Sequence, residues 1–354
     1  MLTPRIEIDL KKIGHNTKSL IDIYGLKGIS LIGVTKAVNG DSNIAKVLVK
    51  SGIKILADSR ISNIIKMRKA GVKAQFLLLR IPFLSQAKET VESTDISLNS
   101  EIIVIQNLSK FALISNKKHK IILMMELGDL REGVMPADIE DTVEQILKLK
   151  GIELIGIAAN LACFIGVKPT NENMSFFSKI VQKVELKFGI KLQFISAGNS
   201  ANYEWFKNVI KIKPINNLRI GESIYLGRDV PYRNPIPGLF LNAFKLVSEV
   251  IEYKTKPSIS QCNSFKNSLN PNSKSMKQGM MKRAILGIGI QDVAVTGLKP
   301  IAAIKILGAS SDHLMVDSKK VNLKVGKELS FNMNYSALLS AMNSPHIIKR
   351  YINL

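Results

Sequence analysis

The chemistry of this sequence starts from one lysine. Lys36 ends the apolar run Leu31-Ile32-Gly33-Val34-Thr35-Lys36, where water is scarce. Desolvation disfavours an ammonium and lowers its pKa, and the neutral amine that results attacks aldehydes to form a Schiff base. Taken alone, Lys36 reads rather as a lysine snorkelling out of a strand end. Two later segments shift that balance. Ser200 follows Ala197-Gly198-Asn199, and Arg219 and Gly221 stand in Leu218-Arg219-Ile220-Gly221-Glu222. Glycine lets backbone N–H groups approach an anion closely, and a neighbouring hydroxyl adds a further donor. A phosphorylated ligand opposite the lysine fits this pattern.

These residues need a scaffold that brings them together. From residue 10 to 235 short β-branched runs alternate with stretches of helical period, which is the sequence form of repeated βα units. The expected strands are Ile29–Lys36, Ile53–Asp58, Gln75–Arg80, Asp95–Asn99, Lys120–Leu127, Leu154–Leu161, Leu192–Ala197 and Leu218–Leu226. Each is nearly all apolar, as a strand covered on both faces requires. The intervening pieces, such as Asn43–Lys50 and Asp138–Lys150, repeat apolar positions at helical spacing. Eight consecutive units favour a closed (β/α)8 barrel over an open sheet. Polar groups interrupt the carboxyl ends of these runs, at Lys36, Asp58, Arg80, Asn99, Asn160, Ser196 and Arg219. In a barrel those ends share the rim from which catalytic groups project, although some of them are ordinary strand-end caps.

After Pro235 the texture changes. Alternating runs at Phe244–Tyr253, Arg283–Gly289, Ile304–Gly308, Leu314–Val316 and Ser330–Met333 predict a β-rich domain over 236–354. An N-terminal strand within residues 1–9 is expected to join it. Ser258–Gln278, rich in Ser, Asn, Lys and Pro, is expected to be a surface loop.

Composition bounds the function. At 354 residues, 46% apolar and 22% charged, the chain is neither disordered nor fibrous. The net charge of +22 raises the question of a polyanion partner. The lysines are spread beside Ile and Asn without an arginine-rich, aromatic-interleaved stripe, so they read as solvated faces and not as a nucleic-acid groove. Cys163 and Cys262 are too few and too far apart for a disulfide framework or a zinc site. No apolar run suits a membrane span and Met1–Asp9 is not a signal peptide, so a soluble cytoplasmic protein is expected. His15, His119, His313 and His346 show no ligand spacing, and Trp205 reads as packing.

The motifs, taken in order, resemble those of the fold-type III pyridoxal phosphate enzymes, the alanine racemase group, and within it the alanine/ornithine racemase branch. They are Glu7-Ile8-Asp9-Leu10 with His15-Asn16, Gly33-Val34-Thr35-Lys36, Leu56-Ala57-Asp58-Ser59-Arg60, Gly128-Asp129-Leu130-Arg131-Glu132-Gly133, Asn160-Leu161-Ala162-Cys163-Phe164, Gly198-Asn199-Ser200 and Arg219-Ile220-Gly221-Glu222. The resemblance implies an α/β (β/α)8 TIM barrel with a C-terminal β-rich domain. It further implies that Lys36 holds pyridoxal 5'-phosphate covalently, that Arg131 lies near the ring's phenolic oxygen, and that Asn160 lies against the ring. Ser200 and Gly221 would bind phosphate, Arg219 would face the pyridine nitrogen, and Glu222 completes the same cofactor-binding motif. An arginine donates to that nitrogen without protonating it, which weakens the electron sink and limits side reactions.

The activity so implied is racemisation, which needs two proton carriers, one for each face of Cα. Lys36 is one. Where the resemblance leads one to expect a tyrosine in the β-rich domain, Ile288 stands in Gly287-Ile288-Gly289-Ile290-Gln291-Asp292, and isoleucine transfers no proton. Asp292 is the first replacement considered, Cys163 the second and Tyr335 the third, against a turn aspartate, a small core filler and a core tyrosine. Gly40 stands where the family carries an aromatic near the phosphate. On resemblance, ornithine or another basic amino acid is the preferred substrate, and Asp58, Glu126, Asp129 or Glu222 would meet its distal ammonium. A homodimer is expected. The alternatives are a non-catalytic pyridoxal phosphate carrier, an alanine racemase, and a polyanion-binding protein on a retired enzyme scaffold.

Overall fold

The computed structural model describes residues 2–209, 214–258 and 279–353. Apart from Ser258, the expected loop of Ser258–Gln278 lies outside the described residues, as does Cys262. The chain divides into two compact units, Ile13–Leu241 and Met1–Lys12 with Asn242–Leu354. The expected division after residue 235 falls slightly early. Ile236 N donates to Gly227 O at 2.9 Å, and Phe240 N donates to Asn16 Oδ1 at 2.7 Å, which ties 236–241 to the first unit.

After β1 (Arg5–Asp9) come the strands of the larger unit, β2 (Ser30–Val34), β3 (Ile55–Asp58), β4 (Gln75–Leu78), β5 (Ile96–Asn99), β6 (His119–Met125), β7 (Ile152–Ala159), β8 (Phe194–Asn199) and β9 (Asn217–Ile220). They pair in parallel in chain order and close when β2 meets β9, from Ser30 beside Asn217 to Gly33 beside Ile220. Alternate residues of the strands, among them Ile32, Val34, Ile55, Ala57, Leu77, Leu98, Ile122, Met124, Ala158 and Phe194, form one buried cluster. Side chains of a strand alternate between faces, so a cluster shared by β2 to β8 of a closed barrel is its filled interior.

Several strand ends differ from expectation by one to a few residues, and two of these differences matter for the rim. The eighth run, Leu218–Leu226, is not one strand: β9 ends at Ile220, and Glu222–Leu226 is a short helix. Gly221, at φ −137° and ψ −64°, leaves the extended region, and the apolar Ile224-Tyr225-Leu226 is buried on a helix instead. Short apolar runs are ambiguous between strand and buried helix. Likewise β2 stops at Val34. Thr35 is already helical in backbone, and Lys36 opens a 3-10 turn over Lys36–Val38.

In the smaller unit the strands are β10 (Phe244–Pro257), β11 (Met280–Leu286), β12 (Leu298–Pro300), β13 (Lys305–Ala309), β14 (Leu314–Asp317), β15 (Glu328–Met333) and β16 (Ile348–Ile352). Their order is β12-β15-β10-β11-β14-β13, with β1 antiparallel to β10 and parallel to β16. Arg5, buried on β1, makes a two-pronged contact with Glu328 at 2.6 Å on each arm, a geometry that suits guanidinium and carboxylate.

Candidate active site

Lys36 is half-buried at the carboxyl end of the barrel. Its pKa is lowered, first by desolvation and further by the Arg131 charge, while Cys163, Glu132 and Asp58 act the other way. Among the described residues its ammonium makes no hydrogen bond or salt bridge. The backbone around it is held from two sides. Asp58, fully buried, accepts from Thr35 Oγ1 at 2.7 Å, from Asn63 Nδ2 at 3.0 Å and from Arg60 N at 3.0 Å. Burial raises the Asp58 pKa, and the Thr35 and Asn63 bonds oppose that. Tyr225 Oη donates to Val34 O at 2.7 Å, pinning the strand two residues before the lysine. At Gly40 a Cβ would come 2.6 Å from Asn63 Cβ, so Asn63 leaves no room for a side chain at this position.

Ser200, Gly221 and Ser223 come together where the last two units end. Ser200 is buried, and its Oγ accepts from Ser223 N at 3.2 Å and from Gly221 N at 3.4 Å. A Cβ on Gly221 would stand 3.0 Å from Val34 Cβ and 3.1 Å from Val34 O, so only glycine fits without a shift. Arg219 lies deeper. It is buried, with Nη1 donating to Ser196 O at 3.0 Å and Ser196 Oγ at 2.7 Å, and Nη2 donating to Ala159 O at 2.7 Å. No carboxylate among the described residues forms a salt bridge with it. Burial pushes its pKa down to about 10, which still leaves it charged near neutrality.

The loop after β7 carries Asn160 and Cys163. Asp129, buried, accepts from Asn160 Nδ2 at 3.1 Å, from Cys163 N at 3.1 Å and from Phe164 N at 3.1 Å. Asn199 Nδ2 donates to Asn160 Oδ1 at 3.2 Å, to Leu161 O at 2.8 Å and to Cys163 Sγ at 3.5 Å. The thiol is thereby placed within electrostatic reach of Lys36, Arg131 and Arg219.

The loop after β6 folds back on its strand, with Glu126 N donating to Val134 O at 2.9 Å and Val134 N to Met124 O at 2.8 Å. Gly133 allows this: its φ is +145°, and a Cβ would lie 2.4 Å from Glu126 N. Glu126 Oε1 accepts from Gly128 N at 2.5 Å and Leu130 N at 3.0 Å. Arg131 makes a two-pronged pair with Glu132, which raises its pKa. Glu222 is half-buried and bonded to Arg233, and burial raises its pKa.

Lys36, Arg131, Asn160, Cys163, Ser200, Arg219, Gly221 and Glu222 therefore all belong to the rim of the larger unit. In the smaller unit Ile288 is fully buried, Asp292 is buried and accepts from Gly289 N at 3.1 Å through Oδ2, and Tyr335 opens a helix over Tyr335–Asn343. Tyr225, Ser223, Asn199 and Asn63 escaped the sequence reading. Tyr225, Ser223 and Asn199 act on partners distant in the chain, and Asn63 on Asp58 five residues before it, and no spacing signals these bonds.

The model of the alanine racemase N-terminal domain matches residues 8–229. The chain belongs to the alanine racemase family. Over 353 residues, 99% of each chain, it is 37% identical to a lysine racemase of Thermotoga maritima. It is 36% identical, again over 99% of each chain, to an ornithine racemase of Acetoanaerobium sticklandii. Among solved structures, the alanine racemase of Streptomyces coelicolor superposes with a TM-score of 0.78 at 15% identity, covering 99% of this chain and 98% of that one, a likeness of fold. Full-length similarity to two racemases makes this member of the family a racemase.

Proposed function

We propose that this protein is a pyridoxal phosphate-dependent racemase of basic amino acids, ornithine or lysine. The observation that carries the cofactor is the rim itself. A desolvated lysine stands with a buried arginine that has no carboxylate partner and a cradle of two backbone N–H groups and a hydroxyl that a Cβ at Gly221 would crowd. That donor set fits pyridoxal phosphate, with an amine for the aldehyde, one positive donor for a ring nitrogen and neutral donors for phosphate. The substrate class rests on the names of the two full-length relatives.

When bound, the cofactor supplies a sink for negative charge at Cα. Lys36 would hold it through Nζ, and that nitrogen, with its lowered pKa, is one proton carrier at Cα. Ser200, Gly221 and Ser223 would hold the phosphate. Arg219 would donate to the ring nitrogen and keep its own proton, and Arg131, oriented by Glu132, would face the phenolic oxygen. Asn160, fixed by Asp129 and Asn199, would lie against the ring.

We assign the second proton carrier to Cys163. Its Sγ shares the rim with Lys36, and its loop is bonded at two backbone N–H groups and at the sulfur. The Asp292 carboxylate closes its own turn with Gly289. A reducing cytoplasm suits a reactive free thiol. A homodimer is part of this reading, supported by the exposed apolar Leu130, Phe164, Ile165 and Tyr232 on the loops that ring the mouth.

Absorbance near the visible edge tests the cofactor: it should shift on borohydride treatment and vanish in Lys36→Ala. Single enantiomers of ornithine, lysine and alanine in deuterated water test the reaction. Deuterium and inversion at Cα of the basic amino acids are expected, and colour without exchange of any α-proton would make the protein a carrier.

A further inference from the structure

A substrate with a second ammonium needs a carboxylate at the mouth that is not already spent. Asp58 is spent on Thr35, Asn63 and Arg60 and Asp129 on Asn160, Cys163 and Phe164, each through both oxygens, while Glu126 holds two N–H groups of its own loop through Oε1. Glu222 is bonded to Arg233. Asp229 differs from all of these. It is 1% exposed, Tyr232 N donates to Oδ2 at 3.0 Å, and Oδ1 has no hydrogen-bond partner. Among the described residues it is the one carboxylate oxygen that is buried and unpartnered.

Carboxylates are almost never fully buried unless paired, and leaving one unpaired is costly. An orphaned acceptor of this kind calls for a partner that comes from outside the chain. Its placement says what that partner meets. Asp229 follows Gly227, the C-cap of the helix whose first turn carries the Ser200 cradle. A small hairpin sets it there, with Asp229 N donating to Asn234 O at 3.0 Å, Arg228 bridged to Pro235, and Arg228 Nη1 donating to Arg233 O at 2.8 Å. The hairpin spends Arg233 on Glu222 and leaves Asp229 without a cation. The Asp229 charge reaches Glu222 and Tyr203, and Glu222 in turn lies within reach of Lys36.

We infer that Asp229 Oδ1, with Glu222 beside it, accepts the distal ammonium of a diamino acid whose Cα is held at Lys36. The inference rests on the racemase reading above and adds the residue that selects the substrate. An ammonium supplies the missing donor and the missing charge together, whereas an alanine methyl or the end of norleucine supplies neither.

The test compares lysine and ornithine with norleucine, which has the length of lysine without its charge, in the cofactor-loaded enzyme. Wild type should favour lysine strongly, and Asp229→Asn should lower the ratio of lysine to norleucine kcat/KM by about tenfold to a hundredfold. Asp229→Glu keeps the charge and lengthens the acceptor by one methylene, so it should shift preference from lysine towards ornithine. It also serves if Asp229→Asn does not fold. A wild-type ratio near one, or a ratio unmoved in Asp229→Asn with no length shift in Asp229→Glu, overturns the role of Asp229 while leaving a basic amino acid racemase standing. Wild type that racemises alanine and neither diamino acid takes down both readings.

Discussion

At the scale of single residues the rim is organised by where each charge is spent. Lys36 is surrounded by Arg131, Cys163, Glu132 and Asp58, and desolvation dominates, so its amine is biased towards the neutral, nucleophilic form. Arg131 is neutralised by the adjacent Glu132, whereas Arg219 is given only carbonyls and a hydroxyl and keeps its charge for an incoming acceptor. Cys163 carries the sharpest prediction at this scale. Cys163→Ala should lower racemisation by about a hundredfold to ten-thousandfold, the usual worth of a positioned proton carrier. Exchange without inversion should survive at the face Lys36 serves, seen as deuterium in a substrate of unchanged chirality. Equal loss of exchange and inversion would show the thiol to be only a structural neighbour, and unchanged racemisation would return the role to Asp292 or Tyr335.

At the scale of elements, the rim works because strand ends are tied to one another by side chains. The hydroxyl of Tyr225 binds the helix after β9 to β2 at Val34, the residue Gly221 also packs against. Gly221→Ala must push Val34 or the helix aside by a few tenths of an ångström, so cofactor affinity should fall by about tenfold with the fold retained. A cofactor titration followed by absorbance measures it. Away from the site, His119 on β6 lies with Nε2 2.9 Å from Ser97 Oγ on β5, and Asn99 Nδ2 donates to the same oxygen at 2.9 Å. Burial lowers the His119 pKa to about 4 from 6.5. A depressed pKa means the unfolded chain takes the proton first, so stability is complete above pH 6.5 and is lost as pH falls towards 4. The loss should be about 3 kcal/mol. Urea midpoints between pH 7 and 4 should fall less steeply in His119→Asn, and parallel slopes would refute the assignment.

For the whole molecule the question is what the exposed apolar loops and the +22 charge do. Leu130, Phe164 and Ile165 are more than half exposed on loops that also carry Arg131 and Cys163. Apolar side chains in such a position favour association over exposure to water. Sedimentation should give twice the chain mass, and dilution to monomer should reduce activity. A fully active monomer would contradict the dimer. The surplus lysine charge, spread without a stripe, should leave racemisation nearly flat between low and physiological salt. Binding to a polyanion that weakens steeply with salt would revive that alternative.

Sequence alone determined the barrel, because a parallel strand buried on both faces must be written as a continuous apolar run and each run must be followed by a helical period. It also marked Lys36, since a lysine closing such a run is chemically conspicuous, and Ser200, Arg219 and Gly221, since they recur at the ends of the last units. It left open which of Asp58, Glu126, Asp129 and Glu222 would be available to a substrate, and it passed over Asp229. Tertiary structure shows which of these carboxylates are already bonded. A carboxylate's availability depends on the donors around it, and those of Asp129 arrive from Asn160, Cys163 and Phe164, 31 to 35 positions away. The same holds for Leu218–Leu226, where an apolar run suits strand and buried helix alike. The folded chain turns from one to the other at Gly221, which packs closely against Val34.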